Sequence, residues 1–157
     1  MAQYLRRLWT SFLTIFLRLD RVPAVVSSVE RVSRFVFYQR HIKTGEISAA
    51  AFMPGGPTQD TSVYRTSGCS EKRVWLLGDL FVERLRKDGR AFIARGDVIA
   101  KAVFDQHLKI ASVPRPHPRH AVVCNWPEDK AHQKIKAEAL ALEATLLLRP
   151  PSGRQVE

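Results

Sequence analysis

The chain holds only two cysteines, two methionines and eight glycines among 157 residues. Two cysteines, Cys69 and Cys124, are too few for a disulfide framework. That excludes the class of small secreted folds stapled by bridges, and both residues read as reduced thiols in a cytoplasmic setting. There is no Cys-x-x-Cys pair, His-Glu-x-x-His, nucleophile elbow, Walker-type loop or dinucleotide glycine pattern. No cofactor or metal is therefore expected. Gly55-Gly56, held between Pro54 and Pro57, is too short to cradle a phosphate. No apolar run reaches the length of a membrane-spanning helix, and the opening run lacks a small-residue cleavage site.

Acidic residues are also in the minority, 15 against 25 Lys and Arg, which gives a formal charge of +10. An excess of this size favours a polyanionic partner, either nucleic acid or an anionic membrane surface. It is spread evenly: +2 over residues 1–30, +3 over 31–66, +3 over 67–113 and +2 over 114–157. No basic arm exists, so only folding gathers this charge on one face. The length and the 45% hydrophobic content suit one globular domain with a real core.

Residues 4–19 carry apolar side chains at 5, 8, 9, 12, 13, 16 and 19, the spacing of an amphipathic helix. This helix suits docking on the domain or on a protein partner, and it also suits a membrane surface. Residues 1–30 are expected to form that extension and a linker, 31–149 a single domain and 150–157 a flexible tail. Within the domain, strands are expected at Arg34–Gln39, Ile47–Phe52 and Thr61–Arg65, the first two paired across the turn Lys43-Thr44-Gly45-Glu46. A helix capped by Ser70 should reach Lys87, burying Val74, Leu77, Phe81 and Leu85. Further elements follow: a strand at Ala91–Ala94, a short helix at Ala100–Gln106 and strands at Leu108–Val113 and Ala121–Cys124. A helix from Pro127 to Ala144, burying Ala131, Ile135, Ala139 and Leu142, precedes a last strand at Thr145–Leu148. The predicted class is α+β: a mixed, mainly antiparallel sheet with two main helices packed on one face, plus the N-terminal helix.

The segment from Pro116 to Pro127 concentrates stiff, titratable and stacking residues and is the leading candidate site. His117, His120 and Cys124 supply three potential zinc ligands, but a fourth must come from afar, and Cys124 equally suits packing as a small hydrophobe. The same histidines suit metal-independent phosphodiester cleavage, His117 or His120 moving the proton and Arg65 or Arg119 stabilising the phosphate. Trp126 and Tyr64 offer stacking faces, and His41 and Lys43 add a phosphate ligand at the first turn. Arg65, flanked by apolar residues, needs a carboxylate from Asp60, Asp79 or Asp97 if it is not an anion site. Asp97 is expected to cap the next helix or turn. The functional expectation is a small basic bacterial-type domain binding nucleic acid or a nucleotide, with endoribonuclease activity left open. The competing class is a non-enzymatic interaction protein using residues 4–19 and the Pro/His loop.

Overall fold

The computed structural model describes residues 2–151. The expected tail therefore lies, beyond Pro151, outside the described residues. Six strands form one antiparallel sheet: β1 (Arg31–Val36), β4 (Thr61–Arg65), β5 (Ala94–Ile99), β6 (Lys109–Ser112), β7 (His120–Cys124) and β8 (Thr145–Leu148). Their order across the sheet is β6-β7-β4-β1-β5-β8. The α+β class and the N-terminal helix agree with the sequence reading.

β2 (Ile42–Lys43) and β3 (Glu46–Ile47) form a separate two-stranded ribbon. Its turn is the one expected, with positive φ at Thr44 and Gly45 as a type I′ hairpin requires. The ribbon does not pair with β1, because β4 and β5 occupy both of its edges. Residues expected to extend β3 form a 3₁₀ turn over Ala49–Ala51, where three alanines lack the β-branched side chains that favour a strand.

Period-two alternation divides the sheet's side chains between two cores. Val32, Val36, Val63, Ala94, Val98, Ala121 and Val123 lie on one face with α3 (Ala100–Asp105) and α4 (Lys130–Glu143). Phe35 and Tyr64 lie on the other, with Leu17 of α1 (Ala2–Arg18) and with Val74 and Leu77 of α2 (Glu71–Leu77). The two main helices, expected to share one face, thus distribute over both.

Ser70 caps α2 as expected, accepting a hydrogen bond from the Arg73 amide at 3.3 Å. The α-helix then passes into a π-helical turn over Gly78–Glu83. A Cβ at Gly78 would stand 2.5 Å from Phe35 and 2.8 Å from Phe92, so the missing side chain admits both rings. The turn shifts the register, and Leu85, expected to be buried, faces solvent. In α4 the buried stripe is Gln133, Ala137 and Leu140, not the one centred on Ile135 and Leu142, which are 60% and 83% exposed. Small Ala137 permits close approach to the sheet, and Gln133 donates to the Pro127 carbonyl at 2.8 Å.

Candidate functional site

The residues singled out by sequence do not converge. Arg65 is fully buried, and it leaves β4 on the face opposite Ser62 and Tyr64. Its guanidinium donates to both carboxylate oxygens of Glu30, at 2.8 and 2.7 Å, and to the carbonyls of Pro23 and Val25. The partner is Glu30, not Asp60, Asp79 or Asp97, because residues 20–30 fold back along the sheet. Glu30 is held below the usual carboxylate range, first by its hydrogen bonds from Arg65. A guanidinium so engaged holds the linker and is not offered to a phosphate.

Arg119 does related work. It pairs with both oxygens of Asp20 and donates to the carbonyls of Arg65 and Ser67 at 2.9 and 3.1 Å. His117 is buried beneath this junction, 4.6 Å from the Phe81 ring, and its Nδ1 accepts the Arg119 amide at 3.1 Å. Its Nε2 lies toward the Leu17 backbone without a well-formed hydrogen bond. Desolvation pushes its pKa down to about 4, against weaker opposing pulls from the Leu17 backbone and Asp20. A neutral, buried imidazole pinned under α1 is a packing element.

His120 stands apart from His117. Its Nε2 meets the Ser62 hydroxyl at 2.9 Å and its Nδ1 the Val113 carbonyl at 2.9 Å, which fixes an Nδ1–H tautomer with Ser62 donating. Tyr64 lies 5.2 Å from the His120 ring, but it is buried and donates its hydroxyl to the Phe81 carbonyl at 3.3 Å. Burial also raises its pKa. Trp126 packs on the opposite core and donates to the Val123 carbonyl at 3.0 Å. Among the described residues, no group of three or more His, Cys, Asp or Glu is placed to share a metal ion. Phosphodiester cleavage by His117, His120 and Arg65 has no common pocket here, because alternation along β4 sends Arg65 away from His120.

Asp97 is likewise not a helix cap. It lies inside β5, accepts from Ser33 Oγ at 2.5 Å and pairs with Arg95 at 3.0 Å. Arg95 also pairs with Glu71 and lies over the Trp75 ring at 4.3 Å, clamping α2 to the sheet.

The surface that stands out is α1. Leu17, 1% exposed, anchors it; Asp20, just past its end, holds Arg119 and Arg73; and Arg73 lies 5.7 Å from the Phe16 ring. Yet Leu8, Trp9, Phe12, Ile15, Phe16 and Leu19 are each between 55% and 69% exposed. At 100° per residue these six fall within an arc of roughly 120°. The sequence reading found the amphipathic pattern, but not that the apolar stripe turns outward. That depends on which residue the domain accepts, and Leu17 falls outside the predicted stripe. Arg18, Arg21 and Lys72 are exposed nearby and form no ion pair among the described residues. No helix among the described residues is long and apolar enough to cross a membrane.

A second concentration of charge surrounds Tyr38, at the end of β1. The guanidiniums of Arg40 and Arg90 lie 4.8 and 4.4 Å from its ring, and Arg86 lies 4.0 Å from the Phe37 ring. The His41 ring lies 5.2 Å from that of Tyr38, with Lys43 two residues on in β2 opposite Glu46, and burial, then Arg40 and Arg34, hold the His41 pKa down. Arg34, in the same neighbourhood, donates to the carbonyls of Ala51 and Ser62, both at 2.9 Å, and burial with Arg86 nearby lowers its pKa to about 10. Comparison with protein-family models, with curated proteins and with solved structures gives no match to this chain.

Proposed function

We propose that the protein is a non-enzymatic interaction module that seats α1 on an anionic lipid surface. The observation that carries this reading is the outward apolar stripe of Leu8, Trp9, Phe12, Ile15, Phe16 and Leu19. A patch of that kind is costly in water and marks an interaction site. Burying six half-exposed side chains returns about 5–10 kcal/mol before ordering costs. An interfacial helix of this type lies in the membrane plane with Trp and Phe at the headgroup level.

Charge favours lipid over a second copy of the chain. Two molecules at +10 repel each other, whereas an anionic leaflet attracts each nearby Lys or Arg by about 1 kcal/mol. Arg18, Arg21 and Lys72 are placed to contribute, being exposed and without an ion pair among the described residues.

The test is flotation with vesicles of phosphatidylserine and phosphatidylcholine against phosphatidylcholine alone. The native protein should float with the anionic vesicles and release as salt rises. Phe12→Glu should remain unbound while keeping its melting temperature, because Phe12 faces solvent. Equal flotation of both proteins would remove the proposal, as would a Phe12→Glu effect confined to self-association.

A further inference from the structure

The stack of Arg40, Tyr38 and Arg90, with Arg86 over Phe37, lies outside the α1 surface and serves none of the contacts that hold it. Asp88 is the acid within it, paired with Arg86 and 3.9 Å from Arg90. Around that carboxylate stand Arg40, Arg86 and Arg90, and exposed Arg84 and Lys87 flank the same turn. Two separated stretches, 37–40 and 84–90, thus bring cations to one place. An even distribution along the chain becomes a local excess.

We propose that this patch binds the sugar–phosphate backbone and bases of a single-stranded nucleic acid. A guanidinium offers planar forked donors to phosphate, and its flat face stacks on aromatic rings and on bases alike. The Tyr38 ring lies against both guanidiniums, and that of Arg40, with no ion pair among the described residues, is left to phosphate oxygens. Arg40 and Arg90 are exposed, and Arg40 forms no ion pair among the described residues. This gives a polyanion-specific face that does not depend on apolar burial, which separates it from α1. A base stacked on the outer face of either guanidinium extends the same column, so a strand with unpaired bases suits it better than a duplex.

The test is fluorescence anisotropy of a labelled oligouridylate titrated with the full-length protein at several salt concentrations. Arg40→Gln with Arg90→Gln should weaken binding roughly tenfold or more and reduce the slope of log K against log salt by about 1.4, the loss of two single-strand phosphate contacts. The charge-matched pair Lys109→Gln, on the edge strand β6, with Lys130→Gln, at the start of α4, should have less effect on both. Arg40→Lys with Arg90→Lys should keep the salt slope yet lose affinity, because charge survives and the planar stack does not. Equal losses from the two Gln pairs would reduce the patch to diffuse net charge and overturn the proposal, as would a Lys pair indistinguishable from the native protein. Phe12→Glu, which abolishes the proposed lipid contact, should leave oligouridylate binding unchanged. Vesicles added to the native protein without nucleic acid test the lipid surface independently, so either idea can fail alone.

Discussion

Single buried side chains govern how this protein responds to acid. His117 is held neutral, its pKa pushed down to about 4 from an ordinary 6.5. Between those values the unfolded chain takes up a proton that the folded chain refuses, so stability falls as pH drops from 6.5 to 4 and is fully present above 6.5. At 1.36 kcal/mol per pH unit the loss is about 3 kcal/mol. Glu30 acts in the same direction at lower pH, because its stabilisation, present above its unfolded value, is lost as it protonates. Denaturant titrations across pH 4–8 should show a steep limb for the native protein. The limb should flatten in His117→Asn, whose side-chain oxygen can accept the Arg119 amide without titrating. Asp97 predicts a different cost. Asp97→Ala leaves the fully buried Arg95 with only the exposed carboxylate of Glu71, and the melting free energy should fall by about 3–5 kcal/mol. None of this was legible in the sequence as a pairing. The need of Arg65 for a partner was readable from its apolar flanks, but the identity of that partner depends on the path of residues 20–30.

At the scale of elements, helix caps and turn residues carried most of the local information. Ser70 and the Thr44-Gly45 turn act where the sequence places them, whereas the last helix, expected from Pro127, starts at Lys130 with Asp129 as its cap, because caps and positive-φ turns are set by a few neighbouring residues. Helix faces were harder. The α4 pattern contains more than one apolar stripe, and the sheet selected the one with the small Ala137 and the hydrogen-bonding Gln133. The π turn after α2 had a signal in Gly78, a residue with poor helix propensity inside an otherwise helical run. Gly78→Ala should therefore destabilise the protein by about 1–3 kcal/mol, despite alanine's better propensity, because its Cβ collides with Phe35 and Phe92. Thermal melts of Gly78→Ala beside an alanine substitution at the exposed Gly89 separate packing from backbone strain. Gly89 has φ of 63° and nothing within 4 Å of the new Cβ, so its cost is conformational alone.

For the whole molecule, the consequence is a division of cations between structure and surface. Arg65, Arg95, Arg119 and Arg149 are paired with acids. Exposed cations outside such pairs include Arg18, Arg21 and Lys72 beside α1 and Arg40 at Tyr38. Binding to either polyanion should therefore weaken steeply with salt, whereas stability should change far less, since the buried pairs are poorly screened. A salt series that melts the protein and releases its ligands together would contradict this division. By itself the sequence determined the charge, the α+β alternation of elements, the amphipathic helix and the local caps, because those follow from composition and from spacing within one turn or strand. Tertiary structure alone decided that Leu17 faces inward and the apolar stripe outward, that Arg65 and His117 serve packing, and that Phe37 and Tyr38 gather arginines from 40, 86 and 90. Contacts between residues distant in the chain are fixed by which faces bury together, and no local period encodes that choice.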